Sequence, residues 1–583
     1  MGFGIHCWRR FVAASAFASI LFSLQLCSSD TAPNYSFLHN ASTAPVTFHF
    51  DYIIIGGGTA GCPLAATLSQ NFTVLLLERG GSPYGDQNIT HFSNFGRSLS
   101  DLSPASPSQR FISEDGVINA RARVLGGGSC LNAGFYSRAG IGYVEAQGWD
   151  PALVIDSYQW VEDVVAFQPQ VRQWQSAVRS GLLEIGVNPY NGFTYDHMNG
   201  TKVGGTIFDR DGNRHTAADL LRYADPSRLT VLLHATVHKI MFKTRGRKKP
   251  LAYGVIFRDE AMGKHKAFLY GRSKGEIIVS AGALGSPQIL MLSGIGPSEH
   301  LKAHGIDVVL DQPMVGQGMA DNPMNAVYIP SPAPTEVSLI QVVGITEFGS
   351  YIEAASGENF AGGSTQRDFG MFSPKIGQLS TVPPKQRTPE AIEQAVQAMS
   401  KLDDLAFQGG FLLEKIMGPV STGHLELRTI NPSDNPNVTF NYFKEQEDVG
   451  RCIKGLETIG RVINSVSFSP FKYDTMSFDL LLNMTASAPV NLIPRHDNTS
   501  TSLEQYCKDT VMTIWHYHGG CQVGRVVDSD YKVVGVDALR VIDGSTFIYS
   551  PGTNPQATVM MLGRYMGMTI LRERESQRKR ITK

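Results

Sequence analysis

The stretch FDYIIIGGGTAG, from Phe50 to Gly61, decides the fold of this chain. It begins with an apolar run of strand length, and four of its last six residues are glycine. A segment compatible with a helix follows, and then a second apolar strand that ends at Glu78, 22 residues after Gly56. The order strand, G-x-G-x-x-G, helix, strand, acidic residue predicts a βαβ unit that binds a nucleotide cofactor.

Within this unit the glycines and the acidic residue each have a role in cofactor binding. Gly56, Gly58 and Gly61 let the main chain approach a pyrophosphate, and the start of the helix adds a partial positive charge. Glu78 can accept a hydrogen bond from a ribose hydroxyl. A second glycine run, RVLGGGSCLN from Arg123 to Asn132, offers main chain to a ligand in the same way. The expected fold class is α/β, α+β overall, with a Rossmann-like domain.

Length and composition restrict the function classes. A chain of 583 residues exceeds one ordinary domain and predicts two. With 42% hydrophobic and 18% charged residues the chain is globular. The 51 basic and 52 acidic side chains nearly cancel, so net charge attracts neither nucleic acid nor acidic lipid. We expect a small-molecule substrate, no nucleic-acid partner and a monomer.

The N-terminus has the composition of an export signal. Arg9 and Arg10 precede an apolar run from Phe11 to Leu26, and small residues follow. The run is short for a membrane span, so we predict a cleaved signal peptide at residues 1–29, no stable membrane anchor and a secreted protein. Eight N-glycosylation sequons agree with this route: Asn34, Asn40, Asn71, Asn88, Asn199, Asn437, Asn483 and Asn498.

Residues 349–404 differ from the rest of the chain because Gly, Ser, Gln and Pro dominate them. They predict a flexible surface loop or lid. The segments 418–427 and 438–442 are interpreted as strands of a second domain. Near the end, 539–543 predicts a strand and 555–574 a helix, capped by Asn554, that return to the nucleotide-binding domain.

Several motifs together resemble one family. In chain order they are IIIGGGTAGC with LLLERG, RVLGGGSCLNAGFYSR, SAGALGSPQILMLSGIGP, WHYHGG and LRVIDGSTFIYSPGTNPQATVMMLGRYMG. They resemble the glucose-methanol-choline family of FAD oxidoreductases, in its plant branch. The resemblance implies an FAD-binding domain at 48–320, a mainly substrate-binding domain on an antiparallel sheet at 321–514, and a C-terminal segment at 515–575 that carries catalytic residues.

The resemblance also implies which residues contact FAD. Those at the ADP half are Thr59, Ala60, Glu78 and Arg79, with Val237 at the adenine. Those near the flavin and ribityl chain are Val124, Ser129, Asn132, Ala133, Gly134 and Phe135. Those that complete the site from the C-terminal side are Trp515, Asp543, Gly544, Pro555 and Gln556. Some relatives bond the flavin covalently through a histidine where this chain has Leu131, so we expect dissociable FAD.

Two residues are candidates for catalysis. A histidine suits the removal of a hydroxyl proton. The family spacing to Gly519 selects His516 over His518 as this base, and His518 is expected to support it. The second catalytic position is Asn554, whose amide can donate a hydrogen bond to the substrate oxygen but cannot take its proton.

Three functions remain open at this point. The first is oxidation of an alcohol by hydride transfer to FAD, which the resemblance directs toward long-chain ω-hydroxy fatty acids. The second is cleavage of a cyanohydrin such as mandelonitrile with a non-redox FAD. Lyases of this branch pair two histidines, so Asn554 counts against this function. The third is a secreted binding protein on a former enzyme scaffold, which the intact motifs disfavour.

Five cysteines follow the predicted signal peptide, at 62, 130, 452, 507 and 521. An odd number cannot all pair within the chain. Cys452 and Cys507 lie away from the cofactor motifs, and we predict that they form the one disulfide.

Overall fold

The structure is a computed structural model that describes residues 33, 35–101, 103–271, 275–332, 335–357, 409–487 and 502–581. The predicted signal peptide and the sequons at Asn34 and Asn498 lie outside these residues. All statements below concern the described part of the chain.

The first sheet has six strands, all parallel. Its central strands are buried on both faces, which explains why they are apolar without alternation. The order across the sheet is Leu38–Asn40, Leu229–Leu233, Val74–Leu77, Tyr52–Ile55, Glu276–Val279 and Leu539–Val541. The predicted Rossmann-like α/β class is confirmed, and the strand near the C-terminus forms one edge of this sheet.

The second large sheet has seven strands and is antiparallel except for its last pair. Its order is Met512–Thr513, Pro323–Pro330, Gly409–Ile416, Ser350–Ser356, Val342–Ile345, Gly200–Val203 and Tyr190–Phe193. The predicted antiparallel sheet of a second domain is thus present. Its last two strands come from before residue 320, so the chain crosses to this sheet and back.

The loop predicted at 349–404 does not begin where the sequence suggested. Ser350–Ser356 is a fully buried strand inside the second sheet, so the prediction is wrong for these residues. Its sequence SYIEAAS lacks apolar alternation because both faces are covered, and Glu353 is accommodated by pairing with Lys415. Residues 358–404 lie outside the described part of the chain.

The strands predicted around 418–442 also differ in placement. Gly423–Glu426 and Asn437–Thr439 form a three-stranded sheet with Gln317–Met319 instead of joining the large sheet. Leu425 and Val438 pack into the core of the nucleotide-binding domain. This small sheet therefore packs with the nucleotide-binding domain and not with the second large sheet's strands.

Four further sheets complete the β-structure. One has four strands, in the order Thr236–Lys243, Leu251–Arg258, Lys264–Leu269 and Thr47–Phe50. The other three are the pairs Ser108–Ile112 with Ile118–Ala122, Phe135–Tyr136 with Gly205–Thr206, and Ile295–Gly296 with Leu310–Asp311.

Helices cover the sheets on their outer faces. The α-helices are Gly61–Leu68, Gln87–Thr90, Phe95–Ser100, Ile141–Ala146, Pro151–Val165, Gln173–Glu184, Gly282–Leu292, Ser298–Ala303, Gln446–Ile463, Phe478–Ser487, Leu503–Asp509 and Gln556–Ile581. The 3₁₀ helices are Ala41–Thr43, Phe92–Asn94, Gly127–Cys130, Ala217–Tyr223, Ser469–Phe471 and Gly544–Thr546. No helix of the described ranges combines the length and apolarity that a membrane span requires.

The C-terminal helix packs directly on the glycine-rich turn. It begins at Gln556, one residue later than predicted, because Pro555 serves as the cap whose carbonyl accepts the N–H of Val559 at 2.9 Å. A Cβ atom on Gly563 would lie 2.3 Å from the carbonyl oxygen of Ala60. The close approach requires glycine there and fixes the helix against the start of Gly61–Leu68.

The predicted disulfide is confirmed between Cys452 and Cys507. It joins the helices Gln446–Ile463 and Leu503–Asp509 in the core of the second domain. Cys62, Cys130 and Cys521 are buried and free.

Candidate active site and cofactor cradle

One cavity of about 320 Å³ is walled by residues of both large sheets. All predicted site residues except Gly61 line it. They are Gly56, Gly58, Thr59, Ala60, Glu78, Arg79, Val124, Ser129, Asn132, Ala133, Gly134, Phe135, Val237, Trp515, His516, Asp543, Gly544, Asn554, Pro555 and Gln556. The fold thus brings together residues from the two ends of the chain.

Two glycine-rich turns meet at one end of this cavity. The N–H of Gly126 donates to the carbonyl of Gly57 at 2.7 Å, and a Cβ atom on Gly127 would lie 2.8 Å from the Cα of Gly58. A Cβ atom on Gly128 would meet nothing within 4 Å, so bare main chain faces the cavity there. This cradle fits the pyrophosphate of a dinucleotide.

Gly61 has a packing role at the same turn. A Cβ atom on it would lie 2.0 Å from the carbonyl oxygen of Gly56. This contact corresponds to the third glycine of the fingerprint, which permits close helix–strand packing.

The acid at the end of the second strand holds the turn in place. The carboxylate of Glu78 accepts the N–H of Gly57 at 2.9 Å and the N–H of Gly80 at 2.8 Å. Burial raises the pKa of Glu78, and these hydrogen bonds oppose the shift. A carboxylate has further lone pairs, so Glu78 can still accept from a ribose hydroxyl.

Asp543 joins the last strand of the first sheet to the loop after Glu276–Val279. Its carboxylate accepts the N–H groups of Gly282 at 2.9 Å and Ser545 at 2.8 Å and the hydroxyl of Ser286 at 2.5 Å. The cavity wall formed by residues 281–285 is therefore held by the C-terminal segment.

His516 and Asn554 lie on the same cavity. The side-chain amide of Asn322 is 3.3 Å from Nδ1 of His516, which leaves Nε2 for the cavity. Burial, then the charge of Lys415 and then His518, lower the pKa of His516 well below its usual range. His516 is consequently neutral at neutral pH and has a lone pair available.

His518 does not line the cavity. Its Nδ1 is 2.9 Å from the carbonyl oxygen of His516 and can donate to it. The backbone N–H and C=O of His518 both pair with Ala320, at 2.8 and 3.0 Å. Burial lowers the pKa of His518 to about 4. No cluster of metal-ligating side chains occurs in the described ranges.

The sequence did not reveal one charged pair near His516. Lys415, which lines the cavity, contacts the carboxylate of Glu353, and their side chains are 5% and 0% exposed. Both residues lie in neighbouring strands of the second sheet. Lys415 pairs with Tyr351, which is two residues before Glu353 in the adjacent strand. Charges isolated in apolar strands are the signal that could have found them, since such residues are seldom buried without a polar or charged partner.

Part of the cavity wall is apolar. Phe95, Leu99, Met324, Leu339, Ile340 and Leu413 face the cavity. Four of the six belong to the second domain or the strand that leads into it, where sequence patterning predicted no site residues.

Comparisons with known proteins agree with this architecture. Two family models, each described as GMC oxidoreductase, match residues 50–324 and 419–563. The chain is 56% identical over 526 residues to Protein HOTHEAD of Arabidopsis thaliana, which covers 90% of this chain and 88% of that protein. It is 47% identical to the (R)-mandelonitrile lyase-like protein of Arabidopsis thaliana, with 92% of each chain covered.

A crystal structure of formate oxidase has the same fold, with a TM-score of 0.70 at 19% identity, covering 91% of this chain and 100% of that one. The predicted resemblance to the plant HOTHEAD and mandelonitrile lyase branch is confirmed. The glycine cradle and the cavity fit FAD as the cofactor, and the protein is an enzyme. On these grounds the chain belongs to the GMC oxidoreductase family of FAD-dependent oxidoreductases.

Proposed function

We propose that this enzyme oxidises an alcohol, with His516 as the general base. The observation that carries the proposal is that His516 and Asn554 share one cavity with the glycine cradle. Neutral His516 can take the hydroxyl proton on Nε2, provided that its own proton is on Nδ1. The structure places Nδ2 of Asn322 beside Nδ1 at 3.3 Å; rotation of this amide by 180° brings Oδ1, which has no hydrogen-bond partner among the described residues, into position to accept the Nδ1 proton.

Asn554 complements the base. Its Oδ1 has no hydrogen-bond partner among the described residues, so the amide is not committed to the protein. The amide N–H can hold the substrate oxygen as negative charge develops on it. Since an amide cannot take a proton at neutral pH, His516 works as the single base.

When bound, FAD supplies the acceptor for the hydride that leaves the alcohol carbon. We assign the ADP half to Thr59, Ala60, Glu78 and Arg79 and the adenine to Val237. The residues assigned to the flavin and ribityl chain are Val124, Ser129, Asn132, Ala133, Gly134 and Phe135. Those assigned to complete the site from the C-terminal side are Trp515, Asp543, Gly544, Pro555 and Gln556. The C-terminal helix starts at the cavity, so the partial positive charge at its N-terminus stabilises negative charge that develops there.

The apolar wall supports a long-chain aliphatic substrate, for which we propose ω-hydroxy fatty acids. We assign FAD binding to residues 48–320 and 515–575, and mainly substrate binding to residues 321–514. The resemblance to HOTHEAD supports the same class. Leu339, Ile340 and Leu413 form part of this apolar wall.

Cyanohydrin cleavage is the second candidate, because Lys415 places a cation on the wall near His516. A cation there would favour departure of an anion such as cyanide. Glu353 compensates much of that charge, and Asn554 replaces the second histidine of the lyases. Oxidation is therefore the function we favour.

Anaerobic mixing of the holoenzyme with ω-hydroxypalmitic acid tests the proposal. Loss of the oxidised flavin absorbance is the expected result. If the absorbance persists and mandelonitrile instead releases cyanide, the enzyme is a lyase and the oxidation proposal fails.

We also propose that the protein is secreted and glycosylated. Asn71, Asn88, Asn199 and Asn437 are exposed, whereas the side chain of Asn40 accepts from the N–H of Ser42. Expression of the full chain in plant cells should place it in the medium with glycans on the four exposed sequons. Retention in the cytosol with unmodified peptides would refute this.

A further inference from the structure

Asp321 lies at the junction of the two domains, just before the strand Pro323–Pro330, and is 2% exposed. Its Oδ1 accepts the backbone N–H of His516 at 2.9 Å. Its Oδ2 accepts the hydroxyl of Thr513 at 2.6 Å and the hydroxyl of Tyr442 at 2.5 Å. One buried carboxylate thus binds three donors, one of which belongs to the catalytic candidate itself.

The loop held by Asp321 is strained. Trp515 has a φ of 60°, in the left-handed region that a side chain of this size rarely adopts. Its N–H donates to Oγ1 of Thr513 at 2.8 Å, the same hydroxyl that donates to Asp321. Such a conformation persists only where the surroundings fix it. Asp321 and Thr513 together fix residues 513–516.

The direction of the His516 side chain depends on this strained backbone. The φ at Trp515 sets the path by which the chain enters His516, and both side chains line the cofactor cavity. A misplacement of about 1 Å can lower the rate of a catalysed reaction by about 100-fold. Burial raises the pKa of Asp321 to about 6, so the hydrogen bonds maintain a carboxylate that the protein interior disfavours.

We propose that Asp321 is a positioning residue: its carboxylate fixes the backbone of the Thr513–His516 loop and thereby aims His516 and Trp515 into the cavity. Asp321 itself does not line the cavity. The inference rests on the proposed function of His516.

Asp321→Leu and Asp321→Asn, prepared as holoenzymes, form the first test. Asn keeps an acceptor for the N–H of His516, and Leu does not. With ω-hydroxypalmitic acid, Asp321→Leu should slow anaerobic flavin reduction per bound FAD by about tenfold or more, with KM changed by less than about threefold. Asp321→Asn should restore most of the rate. Reduction by Asp321→Leu at the wild-type rate would overturn the proposal.

Thr513→Val and Tyr442→Phe are a matched pair that keeps the test valid if Asp321→Leu does not fold. Each removes one hydroxyl from the same Oδ2, but only Thr513 also holds Trp515. Thr513→Val should slow reduction by about tenfold, and Tyr442→Phe by less than about twofold. Equal effects of the two variants would contradict a positioning role.

The visible circular dichroism of bound FAD gives a readout that does not depend on turnover. It should change in Thr513→Val and stay at the wild-type spectrum in Tyr442→Phe, because Trp515 lines the cofactor cavity. If the wild type reacts with neither ω-hydroxypalmitic acid nor mandelonitrile, the proposed function fails. The positioning role is then tested by this spectrum alone. An unchanged spectrum in Thr513→Val would then refute the positioning of Trp515.

Discussion

The side-chain amide of Asn132 donates to Oε1 of Gln556 at 2.8 Å, across a separation of 424 residues. Nε2 of Gln556 in turn donates to the carbonyl of Phe135 at 2.6 Å. The second glycine run and the C-terminal helix are therefore joined by a two-bond bridge on the wall of the cofactor cavity. Neither half of the chain forms this wall without the other.

Replacement of Gln556 by Leu should weaken FAD binding. It leaves the Asn132 amide and the Phe135 carbonyl without partners, at a cost of about 1–3 kcal/mol, equivalent to about 5- to 150-fold in affinity. Flavin retained after dialysis measures the effect. Gln70→Leu, which removes a surface amide that donates to the Tyr223 carbonyl, is the control and should retain FAD as the wild type does.

Replacement of each of the two histidines of WHYHGG should lower the rate of flavin reduction to a different extent. His516→Ala should lower the rate of flavin reduction by about 10²–10⁴-fold while FAD stays bound, because the base is lost. His518→Ala removes only a donor to the His516 carbonyl and should have a smaller effect. Rapid-mixing absorbance distinguishes the two. Equal losses would contradict the assignment of His516 as the single base.

The rate of flavin reduction should not fall as the pH is lowered through the ordinary pKa of histidine. Only neutral His516 acts as a base, and burial with Lys415 lowers the pKa of His516. The rate should thus stay constant from neutral pH to below about pH 6.5. The double variant Lys415→Met with Glu353→Gln removes the cation without leaving a buried charge. It should raise the pKa of His516, so the rate should begin to fall at a higher pH than in the wild type. A fall that begins at or above about pH 6.5 in the wild type would contradict the assignment.

FAD should dissociate on denaturation. Leu131 lines the cavity where some relatives have the histidine that bonds the flavin, and leucine cannot form such a bond. Acid precipitation should leave flavin fluorescence in the supernatant. Fluorescence in the protein pellet would mean that another residue bonds the flavin.

Loss of the disulfide should destabilise the second domain. Cys452 and Cys507 are 55 residues apart, and on the entropic account closure of that loop contributes about 4 kcal/mol. The variant Cys452→Ala with Cys507→Ala should unfold at a lower temperature and become insensitive to reductant. An unchanged unfolding temperature would indicate that the two helices need no covalent link.

The nucleotide-binding half could be predicted from local sequence because each of its parts has a local signature. Phe50–Ile55, the glycines and Glu78 lie within one βαβ unit, and glycine spacing reports the main-chain approach directly. Asp321 and Glu353 have no such signature. Asp321 reaches His516 over 195 residues, and Glu353 lies in a strand whose two buried faces remove the alternation that identifies strands.

The edge strand Leu539–Val541 pairs with Glu276–Val279, and the residues that follow it complete the cavity. During synthesis the N-terminal cradle thus leaves the ribosome long before its closing wall exists. Cofactor capture must be a late event, after nearly all of the chain has been made. A polypeptide that stops before Leu539 would lack Asn554 and the part of the cavity wall that follows this strand, so we expect it to be an apoprotein without activity.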